Sequence, residues 1–271
     1  MNPPRVTSPR VPVSVCFISG AEESRIGRAL HSVAGLGFEI IVVLNQEVQD
    51  GTEALCQQQG AVVHRRPWGG FLSQKNLAQD LASQPWILQL DADEEVSPEL
   101  RSQLEQFFGG DHERFQGASF PRKVWFLGRW ITHGDWYPDR VLRLYRRDCG
   151  RWAGAEEHCH VRLDGTEKRL SADLLHYSNP TLAAYLHKFP YFADLYLKRQ
   201  IAAGATWSAT AVVVRSFWRF FRAYVLRRGF LDGYPGFFIA CSTAYSTLFR
   251  HTRLYEHLKT VPPPCPPNES R

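Results

Sequence analysis

Neither glycine-rich phosphate signature occurs in this 271-residue chain: no Gly-x-Gly-x-x-Gly follows its first apolar run, and no Gly-Lys-Ser/Thr is present. A fingerprint dinucleotide fold and a P-loop are thereby excluded, and a nucleotide would have to be held by side chains and a metal. The six cysteines, Cys16, Cys56, Cys149, Cys159, Cys241 and Cys265, include no Cys-x-x-Cys pair and no metal-ligand spacing. A reduced, cytoplasmic protein is expected. Residues 1–12 lack an apolar core of signal-peptide length, so no export signal is expected. No uninterrupted membrane span is expected either, because the apolar stretch Phe230 to Phe249 carries Asp232, Gly233, Pro235 and Gly236 near its start. With 44% apolar residues the chain is not disordered, and a net charge of +5 is too small to choose between nucleic acid, an anionic membrane and phosphorylated ligands.

What is present is an alternation of strand and helix patterns. Val11 to Ser19 is an apolar, β-rich run, followed by Ile26, Leu30 and Val33 at helical spacing. Phe38 to Leu44 reads as a second buried strand, Gly51 to Gln59 as a short helix and Ala61 to His64 as a third strand. Phe71 to Ala82 is helical, with Leu72, Leu77 and Leu81 apolar, and Trp86 to Leu90 is a fourth strand. Such alternation predicts a parallel sheet with right-handed crossovers. Beyond a helix over Ser97 to Phe108, strand-like runs Gly117 to Phe126 and Arg140 to Tyr145 flank an aromatic loop, Trp130 to Tyr137, which suggests a mixed extension of the sheet. Alternation along Val141 to Arg147 puts Arg143 on the face opposite Leu142 and Leu144.

The fourth strand ends in Asp91-Ala-Asp93-Glu94-Glu95, before a helix start made by Ser97 as N-cap and Pro98 at the first position. In an open α/β sheet ligands bind at the carboxyl ends of strands, and two carboxylates one residue apart can turn toward one hard cation. Taken alone, the stretch reads first as a solvated acidic loop.

Its company changes that reading. Trp68-Gly-Gly-Phe-Leu-Ser-Gln-Lys-Asn-Leu-Ala, Trp86 to Glu95 and Gly134-Asp-Trp-Tyr-Pro-Asp-Arg-Val-Leu-Arg-Leu-Tyr-Arg-Arg occur in an order and spacing that resembles the family 2 inverting glycosyltransferases. The likeness covers roughly residues 12 to 258 and is greatest to the branch with lipopolysaccharide-core β-1,4-glucosyltransferases. It implies a GT-A (Rossmann-like) α/β fold, with a mixed, mainly parallel sheet flanked by helices. A nucleotide-diphosphate sugar donor, a UDP-sugar, and a divalent metal, Mg²⁺ or Mn²⁺, come with it, as does a saccharide or glycolipid acceptor rather than nucleic acid. The resemblance places the metal on Asp93, with Asp91 and His176 as further contacts, and the donor near Ser19, Glu23, Asn45, Lys75 and Asp91; Arg140 and Arg143 read as contacts to pyrophosphate or an acidic acceptor, or else as solvated strand-edge charges. Glu157 matches the acid of the family's His-Glu segment and is the first candidate for general base, with Asp139 second. Alternatives stay open: an ion pair with Arg140 or Arg143 for Asp139, a helix-surface lysine for Lys75 and a structural hydrogen bond for His176. Leu44 departs from the family, which has an Asp there that recognises uracil, and Asn45 offers an amide in its place. Glu94 and Glu95 are read as shaping the loop.

The expected organisation is a flexible segment 1–11, a catalytic domain 12–180, a helical extension 181–260 and a disordered proline-rich tail 261–271. In the extension Pro190 is expected to interrupt a first helix. A second, Ala211 to Arg228, sets Val214, Phe217, Trp218, Phe221 and Val225 against Arg215, Arg219 and Arg222. Two readings stay open: a docking helix whose basic face is solvated, or a surface helix with its aromatic face inward that rests on anionic lipid at the inner face of the cytoplasmic membrane. A non-catalytic nucleotide-sugar-binding protein and a nucleotidylyltransferase are the competing classes; the loop after the first strand, Ser19-Gly-Ala-Glu-Glu, does not suit the latter.

Overall fold

A computed structural model describes residues 10–156, 159–179 and 181–259. The chain divides into two compact units, residues 1–125 with 137–178 and residues 126–136 with 179–271. The proline-rich tail, and the start of the segment expected to be flexible, lie outside the described residues.

The first unit is built on β1 (Val11–Ser19), which pairs in parallel with β2 (Gly37–Asn45) on one side and β4 (Trp86–Asp91) on the other. β3 (Val62–Arg66) extends the parallel part beyond β2. On the other flank β8 (Asp139–Arg146) runs antiparallel to both β4 and β6 (Gly117–Phe126). Next to β6 lies β12 (Leu174–His176), in parallel, and β12 pairs antiparallel with the short β5 (Glu94–Val96). The sheet is therefore mixed and mainly parallel, in the order β3-β2-β1-β4-β8-β6-β12-β5, with β11 (Glu167–Arg169) in parallel on β6 and a short β7 (Arg129–Ile131) following β6 in the chain.

Alternation along the strands divides the core in two. Val13, Val15 and Phe17 of β1 with Trp86, Leu88 and Leu90 of β4 face the helices α1 (Ile26–Val33), α2 (Thr52–Gln58) and α4 (Pro98–Phe107). Cys16, Ile18 and Ile87 face the opposite side, where α3 (Phe71–Leu81) and the hairpin β9 (Gly150–Ala153) and β10 (His160–Leu163) supply Ala78, Trp152 and Val161. Ser97 caps α4, its hydroxyl accepting from the Leu100 amide at 3.1 Å, with Pro98 in the first turn.

One expectation about β8 is corrected. Leu142 and Leu144 do not share a face: Leu144 packs in the cluster with α1 and α4, and Leu142 in the one with α3. A register shift opposite Ala118 and Ser119 is the cause, since one extra residue on β8 breaks the two-residue period.

In the second unit α5 (Leu182–Ala202), α6 (Ala209–Phe221) and α7 (Gly233–Lys259) are joined to the segment 126–136. Phe126, Ile131 and Ile239 form its buried centre with Trp136, Tyr185 and Phe238 around them. Pro190 does not interrupt α5, which runs continuously through it. Losing one backbone bond at a proline costs a helix about 3 kcal/mol, and here both halves are fastened to α7, Tyr185 through Ser242 at 2.9 Å and Tyr196 through the His251 ring. After α6 the chain passes through a π-helical turn, Arg222–Leu226, rather than continuing as α-helix to Arg228. Among the described residues no helix is long and apolar enough to cross a membrane.

Candidate active site

The carboxyl end of β4 carries the charge. Asp91 closes the strand, Asp93 sits in the following turn, and Glu94 opens β5. α3 meets this edge with an unusual buried face of Gln74, Lys75, Ala78 and Gln79. Most of the polar groups there are bonded. The Gln79 amide donates to the carbonyls of Arg147 and Gly150 at 3.1 and 2.7 Å, and Asn76 exchanges two 3.1 Å bonds with the Trp152 backbone. So anchored, α3 holds Lys75 buried, with Nζ 2.7 Å from Asp91 Oδ1 and 4.2 Å from the centre of the Trp152 ring.

From Lys75 a chain of alternating charges runs across the sheet. Asp91 Oδ2 accepts from Arg143 Nη2 at 2.7 Å, and the same nitrogen donates to Glu94 Oε1 at 2.8 Å. Glu94 Oε1 accepts from Arg122 at 3.0 Å, and Arg122 binds Asp139 at 2.6 Å. Glu94 is 0% exposed, and its other oxygen accepts from the Asp91 amide at 3.0 Å. It therefore does more than shape the loop, since it links three members of the chain. Burial opposes charge on Asp91, but Arg143 and Lys75 outweigh it and hold the carboxyl far below the usual carboxylate range. Arg143 is the mirror image: burial would weaken its charge, while Asp91 and Glu94 hold its guanidinium above the ordinary value. Both carboxylate oxygens of Asp91 are thus committed to cations, leaving Asp93 as the open carboxylate of the pair.

Asp93 faces His176. The register of β12 against β5 sets His176 opposite Glu94, and the Tyr177 amide donates to the Asp93 carbonyl at 2.9 Å. This brings the imidazole Nε2 to 3.5 Å from Asp93 Oδ2, with Arg25 3.8 Å from that same oxygen. Burial would raise the Asp93 pKa, but the His176 contact and Arg25 lower it below the usual range. Among the described residues no three His, Cys, Asp or Glu side chains gather into a complete metal cluster. Two of the side chains expected at the metal, Asp93 and His176, do lie side by side. Neighbouring ligands on an octahedral cation, each about 2.1 Å away, lie roughly 3 Å apart, close to the Asp93–His176 separation. A hard cation takes few protein ligands, so these two side chains would suffice to hold one.

The other expected residues lie around this centre. Ser19 ends β1, its hydroxyl donating to the Gly20 carbonyl at 3.0 Å. Glu23 accepts from the Gly51 amide at 3.0 Å and so ties the loop after β1 to the start of α2. Asn45 ends β2 and accepts from the Glu47 amide at 3.2 Å through its carbonyl oxygen, while Leu44 is buried. Arg140 donates to the carbonyls of Ser119 and Leu170, both at 2.9 Å, and Asp139 pairs with Arg122 rather than with Arg140 or Arg143. Glu157 lies outside the described residues; its neighbour Glu156 accepts from the Leu72 amide at 3.3 Å. Sequence reasoning missed Arg122, Arg25 and Trp152. Arg122 follows Pro121 and, with Lys123, puts two adjacent charges inside an otherwise apolar strand, and that signal could have found it. Lys75, Asp91, Arg122, Arg140, Arg143 and Trp152 all line one cavity of ≈ 520 Å³ in this unit.

A mixed sheet with acids at the carboxyl end of its central strand is an α/β architecture of the kind that binds ligands at that edge. Residues 14–162 match the model of glycosyl transferase family 2, and the chain belongs to that family and is a glycosyltransferase. It is 29% identical over 261 residues to a glycosyltransferase of Rickettsia felis, covering 91% of this chain and 90% of the relative. It is 26% identical over 255 residues to the lipopolysaccharide core biosynthesis glycosyltransferase LpsC of Rhizobium meliloti, covering 92% and 93%. Among solved structures, TarS 1-349 of S. aureus in complex with UDP-GlcNAc is 15% identical, with 89% and 83% coverage and a TM-score of 0.48.

Proposed function

We propose that this glycosyltransferase is metal-dependent and inverting, and that it moves a sugar from a UDP-sugar to a lipid-borne saccharide. The acceptor we assign is a lipopolysaccharide core at the inner face of the cytoplasmic membrane, a class supported by the likeness to LpsC. The observation that carries the reading is the Asp93–His176 pair beside an Asp91 already neutralised by Lys75 and Arg143.

The chemistry follows from charge. Cleaving the bond between the anomeric carbon and the diphosphate collects negative charge on the leaving group, and groups fixed beforehand against that charge lower the barrier. Lys75 and Arg143 are such groups, held rigid by Asp91, Glu94 and the Trp152 ring. Asp93 and His176 would hold a divalent cation, whose charge would further neutralise the diphosphate. Asn45 offers its amide NH₂ to the base, in place of the carboxylate that Leu44 lacks.

Inversion requires a base on the acceptor side to take the proton of the attacking hydroxyl. Glu157 is assigned that role first and Asp139 second, because the Asp139 carboxylate is committed to Arg122. Melting curves with UDP-, GDP- and dTDP-sugars, with and without Mn²⁺, test the donor. A UDP-sugar at a hundredfold excess over its Kd stabilises by about 2.7 kcal/mol, and this is expected only when metal is present. A shift equal for all three bases contradicts the UDP assignment, and no metal-dependent shift contradicts the whole reading. Turnover lost in Glu157→Gln but kept in Asp139→Asn selects the base.

A further inference from the structure

The two units treat their charges differently, and in the second the excess is one-sided. Its described residues carry twelve lysines and arginines against four acids. Two of the acids are largely buried: Asp135 receives Arg222 at 2.8 Å, Arg227 at 3.5 Å and Arg219 at 3.6 Å, and Asp232 accepts from the Thr132 and His133 amides. The other two, Asp194 and Glu256, are both paired with Arg253. From Leu195 to Leu231 the sequence holds seven basic residues and no acid. Burial and the nearby Arg219, Arg199 and Arg215 hold the Arg250 guanidinium below its usual range, against the opposite pull of Tyr196.

Along this basic stretch α6 turns its apolar side outward. Val213 is 65% exposed, Val214 59%, Phe217 68% and Trp218 50%. The inward-facing aromatic stripe expected from the sequence is thus corrected: Arg219 and Arg222 point to Asp135, and the aromatics are left outside. At about 100° per residue, the four exposed apolar residues fall within an arc of about 140°, and Arg215, Arg219 and Arg222 occupy the next 60° or so. Leu226, Phe230, Leu231 and Tyr234 continue the exposed apolar surface past the π-helical turn.

We propose that this surface of the second unit is an interfacial anchor that inserts Val213, Val214, Phe217 and Trp218 among the lipids of an anionic bilayer, with Arg215, Arg227 and Arg228 at the headgroups. An apolar arc bordered by basic residues is the form of a helix lying in the membrane plane, and the scarcity of acid selects an anionic surface over a neutral one. A second copy of the chain fits less well, because two such surfaces would bring their arginines together. The inference agrees with a lipid-borne acceptor but rests on the charge and exposure of this unit alone.

The test is flotation of the full chain with phosphatidylcholine vesicles containing or lacking phosphatidylglycerol, without nucleotide or metal. Binding is expected only with the anionic lipid and is expected to weaken as salt is raised. Arg215→Glu should reduce affinity about fivefold or more, and the double change Phe217→Ser with Trp218→Ser should reduce it further. The control Phe38→Ser, an exposed apolar residue of the first unit, should leave binding unchanged. Binding that is insensitive to the double change, or absent from anionic vesicles, overturns the proposal. So does sedimentation showing a dimer that the double change dissolves. UDP binding, measured in the same variants, is expected to be unaffected, so that failure of the anchor and failure of the catalytic reading are told apart.

Discussion

Buried charge is balanced one for one in the first unit and shared unequally in the second. Across the sheet Lys75, Asp91, Arg143, Glu94, Arg122 and Asp139 alternate in sign, each within 3.0 Å of the next. In the second unit one carboxylate, Asp135, answers three arginines that are themselves partly exposed. Buried ion pairs are weak contributors to stability as pairs but costly to break singly. An alternating chain therefore suits a site that must keep fixed charges in place before its substrate arrives. An unequal cluster at the surface leaves positive charge over, and that suits attachment to an anionic partner.

The largest effect should follow from breaking the chain at its most buried member. Glu94→Ala leaves Arg143 and Arg122 without their shared partner, and a loss of about 3–5 kcal/mol is expected, read as a lowered denaturant midpoint together with loss of donor binding. Gly236→Ala comes next: a Cβ there would run into the Gly229 carbonyl oxygen, so α7 could not keep its approach. Melting of the second unit should fall by about 1–3 kcal/mol, and an unchanged melting temperature would refute the close packing. Asp135→Ala should cost less, about 1 kcal/mol, because its arginines reach solvent. Unlike Glu94→Ala, it should raise affinity for anionic vesicles, and equal behaviour of the two variants would erase the contrast between the units.

The smallest effect is one of pH. Burial, with Arg250 and Arg215 nearby, lowers the His251 pKa, and its ring also meets the Tyr196 hydroxyl at 3.2 Å. A base whose folded pKa is depressed gives stability that is present above its unfolded pKa and is lost as pH falls. The second unit should therefore weaken as pH drops below about 6.5, and His251→Gln should flatten that dependence. A profile unchanged by the substitution would remove His251 as the cause.

Much of this was legible in the sequence because it rests on local periodicity. The apolar runs of β1, β2 and β4 and the Ser97-Pro98 start of α4 mark the parallel half of the sheet, and the acids follow β4 directly. The rest depends on contacts between distant residues. Nothing local shows that Arg122 and Arg143 converge on Glu94, or that the register of β12 carries His176 to Asp93. A one-residue register shift in β8 is equally silent, since it changes no residue type. The polarity of α6 misled for the opposite reason: an amphipathic pattern says which residues share a face, but not which face is covered. Three arginines drawn to Asp135 settled that.

Calorimetric titration of Mn²⁺ into the protein, with and without UDP, tests the catalytic account most directly. UDP should tighten Mn²⁺ binding at least tenfold in the unaltered chain, and Asp93→Ala or His176→Ala should abolish that gain, whereas Asp139→Asn should keep it. Mn²⁺ binding that is indifferent to UDP, or a gain that survives loss of both Asp93 and His176, would contradict the assignment of the metal–diphosphate site.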